Sequence, residues 1–548
     1  MTEKKQSEKT EERAREAGIL LPVFSLPSAY TQGCFSDEAY RFVDFLSDSG
    51  VRWWQILPLE PADECFSPYR PESCFALDPA FIDPKGLLRR GWLTENEFQD
   101  MKAALFKARW LPADGPASAS HRLSLSEVRK IQESYFHIAY QRYTETKNFQ
   151  PFFDFITENK EWLPDFALYR ILKKRCGTGR WQEWPEPFKS RTPDGLERLK
   201  EECQEEFLFE CWKQYVVRTE WDRLHRYVNK KGIRILGDLP IYAAEDSSDC
   251  WSHPEIFQLD PAFRPKQTAG VPPDYFSEDG QLWGNPLYRW ENPDCTSWWI
   301  RRFREKARIY DSIRIDHFRG FEAYYAVPAG KTAREGHWEK GPGFPFFQTL
   351  FQSGIPDIKN RLIAEDLGFL TDAVRELLSE TGLPGMKVLE FAFDSDESNP
   401  YLPENCPKNA VIYTGTHDND TARGWYESAP KSQKEKFRLE VSCFLKKNPE
   451  IGSDEKNDSR ISPSDPILSE NFKITEENAA DAMLLLAAMS RPFLSVFPMQ
   501  DVLNLGSSAR INIPGSADGN WNWQLSEGAY TPEHARKLRA LLVRAGRA

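Results

Sequence analysis

Four apolar runs in this 548-residue chain each end on a carboxylate: Asp238 in ILGDLP, Asp316 in RIDHF, Glu365 in IAEDLG and Asp418 in TGTHDND. A single acidic residue after such a run is commonly a helix N-cap or a solvated loop residue. Four at equivalent places suggest one shared site, and convergent carboxylates are equipped for nucleophilic and acid–base work. In SIRIDHF the two-residue period puts Arg314 and Asp316 on one side and Ile313 and Ile315 on the other. The isoleucines can then pack beneath helices while the charged pair faces an opening. A guanidinium beside Asp316 is expected to hold it ionised, as a nucleophile requires. The competing reading is a salt bridge that only closes the fold.

Glu365 follows Leu362, Ile363 and Ala364, an apolar approach expected to desolvate its carboxyl and raise its pKa toward that of a proton donor. One ionised and one protonable carboxylate, about 5 to 5.5 Å apart, is the arrangement of retaining glycoside cleavage. Asp366 is expected to face away or to cap the next helix. His417 beside Asp418, and His317 directly after Asp316, add groups able to bond sugar hydroxyls. A lone histidine is usually structural; two beside strand-end carboxylates read as site residues.

These positions require a framework that brings strand ends together. Seven runs read as buried strands: VRWWQILPL near 51, IRILGDLPIY near 234, SIRIDHF near 312, NRLIAEDLG near 360, KVLEFAFD near 387, AVIYTGTHD near 410 and FLSVFPMQD near 493. Stretches with three- and four-residue apolar spacing, such as EFLFECWKQYVVRTEWDRLHRYVNKKG, separate them as helices. About eight such units close into a (β/α)8 TIM barrel, an α/β fold whose chemistry sits at the C-terminal ends of the strands. No internal repeat or low-complexity linker divides the chain. The expected organisation is a solvated arm over residues 1–17 and one catalytic barrel over 18–548. Largely helical insertions are expected at about 87–215 and 428–475, with a further one at 250–295.

The balance of 71 Lys+Arg against 83 Asp+Glu, a formal charge of -12, disfavours nucleic acid and anionic membrane surfaces. Aromatic residues make up 13 %, which suits stacking on flat, neutral ligands as well as filling a large core. The ten cysteines show neither a CxxC pair nor regular spacing, so no disulfide framework or metal site is expected. The charged N-terminus is unlike a signal peptide, and no apolar run reaches the roughly 18 residues needed to cross a bilayer. A cytoplasmic location is expected.

Several long segments then resemble the amylomaltases and disproportionating enzymes, the 4-α-glucanotransferases of glycoside hydrolase family 77. They include GILLPVFSLPS, WWQILPLEP, SPYRPESCFALDP, GDLPIYAAEDSSDCW, GVPPDYFSEDGQLWGNPLYRW, RIDHFRGFEAYYAVPAGKTAREGHW, AEDLG, LPGMKVLEFAFD, TGTHDNDT, PMQDVLNLG and NIPGSADGNWNW. They run in the family's order from about residue 18 to 525. RxDHFRG, AEDLG and THDND are shared more loosely across the α-amylase clan, whereas GVPPDYFSEDGQLWGNP is narrower.

The resemblance implies Asp316 as nucleophile, Glu365 as acid/base and Asp418 as transition-state stabiliser. It implies Arg314, His417 and Asp238 around the cleaved bond, with Ser67, Tyr69 and Trp283 on glucan-contacting loops. The implied reaction is a retaining double displacement that moves α-1,4-glucan segments to the 4-hydroxyl of an acceptor glucan or glucose. It needs neither metal nor organic cofactor. Donor and acceptor would be α-1,4-glucans and maltooligosaccharides, and the protein a monomer or homodimer. Tyr325, Gln524 and Glu390 depart from the family pattern, where Trp, Arg and Gln are expected. Trp283, Tyr275 and Phe276 are candidates for keeping water from the intermediate; without such closure the activity would be hydrolytic. A glucan-binding protein on an inactive barrel would not need the carboxylate set, and a nucleotide-sugar transferase would need a phosphate-cradling loop that is not found.

Overall fold

Parallel strands buried on both faces read as near-continuous apolar runs, and the barrel strands here are mainly apolar, with a few charged residues such as Asp238, Arg314 and Lys387 in their C-terminal halves. The computed structural model describes residues 13–30, 32–62, 66–109, 125–177, 180–273, 278–368, 370–447, 473–516 and 519–548. Strands among them are numbered in chain order: β1 (Glu16–Leu20), β2 (Trp53–Gln55), β3 (Arg234–Leu239), β4 (Gln267–Val271), β5 (Gln281–Pro286), β6 (Ser312–Ile315), β7 (Ala323–Pro328), β8 (His337–Lys340), β9 (Leu362–Ala364), β10 (Gly385–Val388), β11 (Ala410–Tyr413) and β12 (Leu494–Pro498).

Eight of these form one parallel sheet in the order β10-β11-β12-β1-β2-β3-β6-β9. The remaining gap is bridged where the Ala364 N–H donates to the Pro384 carbonyl at 2.9 Å. The result is a (β/α)8 barrel. Its alternation is legible in the two apolar layers. Leu20, Trp53, Leu236, Ile363, Met386, Val388, Val411, Leu494 and Val496 fill the interior. Ile19, Trp54, Ile235, Ile313, Ile315, Leu362, Ala364 and Ile412 pack outward against helices. Gly237, on the outward face of β3, is required by a close approach: a Cβ there would lie 2.2 Å from the Tyr310 ring.

Six of the barrel strands lie within the expected runs, and β10 overlaps KVLEFAFD only at Lys387 and Val388, most of that run forming the turn that follows it. The eighth, β1, is formed by EAGIL, which has too little periodicity to declare itself and owes its conformation to pairing with β2 and β12. It takes Glu16 and Ala17 out of the expected arm, and Arg15 just before it donates to the Ala545 carbonyl at 2.7 Å. Between β2 and β3 the chain is helical, as expected, over Glu95–Arg109, Leu125–Glu145, Gln150–Glu158, Leu163–Cys176 and Pro193–Glu202. The long helix Gln204–Lys230 then leads into β3, its Trp221 donating to the Ile309 carbonyl at 3.0 Å.

The stretch near 250–295 is not largely helical. It contributes β4 and β5 to an antiparallel sheet ordered β5-β4-β7-β8, in which strands from before and after β6 pair. Long-range pairing makes this sheet, and short runs such as QTAGV do not announce it. In the 428–475 stretch the helix Lys431–Lys447 is present, and residues 448–472 lie outside the described residues. No helix among the described residues is long and apolar enough to cross a membrane.

Candidate active site

The four strand-end carboxylates meet at one end of the barrel. On β3 and β6, Asp238 pairs with Arg314, and both point inward. Arg314 Nη1 donates to both oxygens of Asp238 at 2.8 and 2.7 Å, and Nη2 reaches Asp316 Oδ1 at 3.0 Å. One guanidinium thus bridges two carboxylates. Asp238 has no accessible surface, and its remaining contacts are the Tyr69 hydroxyl at 2.7 Å and the Leu239 N–H at 3.0 Å. Its part in this geometry is to hold Arg314 and Tyr69, not to present a free oxygen to a ligand.

Asp316 and Glu365 each follow a residue of a matched pair, Ile315 opposite Ala364, so they leave neighbouring strands at the same level. The Asp316 N–H donates to the Leu239 carbonyl and the Glu365 N–H to the Ile315 carbonyl, each at 3.0 Å. The chain then turns through His317 in the left-handed region, with φ of 50°. That turn aims the His317 N–H at Glu365 Oε2, 2.8 Å away, while Leu367 N–H donates to Glu365 Oε1 at 2.8 Å. Asp366 takes the opposite side, accepting from the Met386 N–H at 2.5 Å.

Burial pushes the Asp316 carboxyl well above its usual range. Arg314 opposes that shift, while Asp238, Glu365 and Asp418 reinforce it. The expectation that Arg314 would leave Asp316 with a depressed pKa is therefore corrected in its net direction: one cation does not outweigh desolvation and three carboxylates. Glu365 is also raised by burial, against Arg314 and the two amide donors. Such neighbours titrate as a unit, not as separate acids. Burial keeps His417 neutral by lowering its pKa and takes His317 down to about 4.

Asp418 is 45 % exposed in its side chain and faces the opening. Asn512 Nδ2 donates to its Oδ1 at 2.6 Å, Arg510 Nη2 to its main-chain carbonyl at 2.6 Å, and His417 Nε2 lies 3.4 Å from Oδ2. The Tyr69 ring stacks on His417 with centroids 5.2 Å apart, and Trp521 packs against both rings. Trp283, on β5, meets the His317 ring edge-on at 5.0 Å. Ser67 serves its own turn, accepting the Tyr69 N–H at 3.4 Å. Tyr275 and Phe276 lie outside the described residues.

A profile of the 4-alpha-glucanotransferases, glycoside hydrolase family 77, matches residues 21–530. The chain belongs to this family. The 4-alpha-glucanotransferase of Clostridium butyricum is 39 % identical over 94 % of this chain and 97 % of its own length. That of Thermus thermophilus is 39 % identical over 97 % and 98 %. Among solved structures, the Streptococcus agalactiae amylomaltase in complex with acarbose superimposes with a TM-score of 0.84 at 30 % identity, covering 97 % of this chain and 100 % of that one.

Three residues at the glucanotransferase's site lie outside the strand-end runs. Asn512, Arg510 and Trp521 come from the segment after the last barrel strand and support Asp418, His417 and Tyr69 from one side. NIPGSADGNWNW begins with Asn512, but nothing in its local pattern says which strand end it would meet. Of the departures from the family pattern, Tyr325 donates to the Ala333 carbonyl at 2.9 Å and Gln524 to the Leu26 carbonyl at 2.8 Å, both away from the carboxylates. Glu390 lies beneath the loop that carries Asp418.

Proposed function

We propose that this 4-α-glucanotransferase works with Asp316 as nucleophile, Glu365 as acid/base and Asp418 as the carboxylate that stabilises the cationic transition state. The observation that carries the assignment is the asymmetric partnering of two adjacent carboxyls. Asp316 has a guanidinium at 3.0 Å, whereas Glu365 is held by two main-chain amides and, among the described residues, has no cation in contact. A full positive charge favours an anion more than two neutral amides do, so we assign the pair's proton to Glu365 and the negative charge to Asp316, although burial raises both and Arg314 and the amides also oppose the rise at Glu365.

Asp316 attacks the anomeric carbon as Glu365 delivers its proton to the departing 4-oxygen, and the reducing-end fragment leaves with a new free 4-hydroxyl. A β-linked glucosyl ester on Asp316 remains. The 4-hydroxyl of a second glucan then gives its proton to Glu365 and displaces Asp316, restoring an α-1,4 bond. Asp418, locked by Asn512, and neutral His417 bond the sugar hydroxyls. Asp238 acts through Arg314 and Tyr69. Trp283 beside His317 covers the intermediate against water.

Donor and acceptor are α-1,4-glucans or maltooligosaccharides, and the ligand class named for the Streptococcus agalactiae complex extends to this cleft. A reducing cytoplasm is supported by nine described cysteines that are all free. A monomer or homodimer fits this reading, with no role for nucleic acid or membrane. Incubation with maltotriose, followed by chromatography, tests the activity. Longer maltooligosaccharides plus glucose are expected. Glucose and maltose alone would make the protein a hydrolase, and no turnover of maltotriose or longer chains would leave only binding.

A further inference from the structure

After β10 the chain tightens into a single turn, Leu389–Phe391, and its central residue, Glu390, points beneath the loop from Thr414 to Ala422 that carries Asp418. Glu390 is only 8 % exposed. Its Oε2 accepts from Asn419 Nδ2 at 3.2 Å, and its buried Oε1 has no hydrogen-bond partner. Gly415 makes room for this carboxyl, since a Cβ there would lie 2.6 Å from Oε1. No lysine or arginine pairs with Glu390 among the described residues.

Asn419 links Glu390 to the site. Its Oδ1 accepts from the Thr416 N–H at 3.0 Å and the Thr416 hydroxyl at 2.8 Å, and that same hydroxyl oxygen accepts the Asp418 N–H at 3.2 Å. Asp501 ties the two ends of the loop together, accepting from the Thr414 hydroxyl at 2.5 Å and the Ala422 N–H at 2.7 Å. The middle, where Asp418 sits, depends on Asn419, and Asn419 on Glu390.

The groups facing Glu390 decide the form in which it works. From the helix Met499–Val502 comes Asp501, from the same loop Asp420, and from the following segment Arg510. Arg510 is committed to the Asn512 and Asp418 carbonyls. Two carboxylates thus confront Glu390 with one occupied cation. A buried carboxylate oxygen with no donor is far costlier than a buried hydroxyl that lacks one bond.

We propose that Glu390 is a positioning residue for the Asp418 loop and that it holds Asn419 as a neutral carboxylic acid, with the proton on Oε1. Burial, followed by Asp501 and Asp420, holds its proton affinity well above the usual carboxylate range, against Asn419 and Arg510. Loss of that proton at alkaline pH sets three carboxylates against one another under the loop and displaces Asp418.

The inference rests on the reading of Asp418 as a site carboxylate, and the test separates the two. Turnover is measured against pH with α-maltosyl fluoride as donor, whose fluoride leaves without help from Glu365, so the protonation of Glu365 sets no alkaline limit. Wild-type kcat should fall about tenfold or more as Glu390 ionises, whereas Glu390→Gln, of the same shape, should stay within about threefold over that range. Glu390→Ala should lose about tenfold at every pH, and Gln should restore it. An infrared difference spectrum at neutral pH, wild type minus Glu390→Gln, should contain a protonated-carboxyl band. An unchanged alkaline limb in Glu390→Gln, or no such band, overturns the proposal. Full activity in Asp418→Asn would instead overturn the reading beneath it.

Discussion

The main-chain N–H of His317, the residue after Asp316, donates to Glu365 Oε2 at 2.8 Å. The strand that carries the proposed nucleophile therefore also fixes the proposed acid/base, through a main-chain donor that substitution of the His317 side chain leaves in place. It exists because His317 adopts a left-handed conformation at the end of β6, and it makes the placement of the two carboxyls one event of folding.

Replacing Glu365 by Gln leaves one oxygen to accept one of the two main-chain N–H groups, sets the side-chain NH2 against the other, and removes the transferable proton. Turnover of maltotriose should fall by roughly 10²–10⁴. Formation of the glycosyl-enzyme from α-maltosyl fluoride should persist. A burst of fluoride release followed by a stalled intermediate, seen by mass spectrometry, is the expected signature. Equal loss with both donors would count against the acid role.

Trp283 covers His317 edge-on beside the nucleophile. In Trp283→Ala the opening admits water, and the ratio of hydrolysis to transfer on maltotriose should rise several-fold, roughly the change that about 1 kcal/mol brings. Product chromatography gives the ratio directly. An unchanged ratio would remove Trp283 from the water-excluding surface.

Glu72 lies just beyond the loop of Ser67 and Tyr69 and joins it to the inserted helix Leu163–Cys176 through Arg170 and Lys173. Burial alone would raise its pKa, but the two cations overcome that and hold it at about 2. A depressed folded-state value means that the stabilisation is complete above the unfolded value near 4.5 and disappears as pH falls toward 2. The change amounts to about 3 kcal/mol at most. Thermal unfolding of wild type should steepen with acid over that window. Glu72→Gln should be less stable at pH 7 and lose less on acidification.

Arg547 is buried and has no carboxylate partner among the described residues. It donates instead to the carbonyls of Ala488, Ser490, Pro492, Phe493 and Glu16, tying the C-terminal helix Pro532–Arg544 to the start of β1 and the approach to β12. Burial lowers its pKa to about 9. Arg547→Met should cost roughly 2–4 kcal/mol, because buried carbonyls lose their donors. Urea unfolding should report the loss, while kcat at moderate temperature stays unchanged, the site being at the other end of the barrel strands.

Much of the site was legible because barrel geometry converts a local pattern into a spatial one. Once RIDHF and IAEDLG are read as strands, alternation alone puts Arg314, Asp316 and Glu365 on the interior side, and strand ends bring them together. The histidines followed by adjacency. The sheet of β4, β5, β7 and β8 was not legible, because its strands pair across β6 and each alone is too short and too mixed to carry a period.

By itself the sequence determined the barrel, the carboxylates at its strand ends and the family, since each depends on short-range periodicity or on residues in fixed order. Only the tertiary structure decided that Asp238 bonds Arg314 and Tyr69, that Asn512 and Arg510 hold Asp418 while Trp521 packs on His417 and Tyr69, and that burial and three carboxylates oppose Arg314 at Asp316. The reason is physical. Hydrogen-bond partners and desolvation depend on which distant segments arrive at a point in space, and the electrostatic balance at Asp316 is a sum over Arg314, Asp238, Glu365 and Asp418 that no single segment contains.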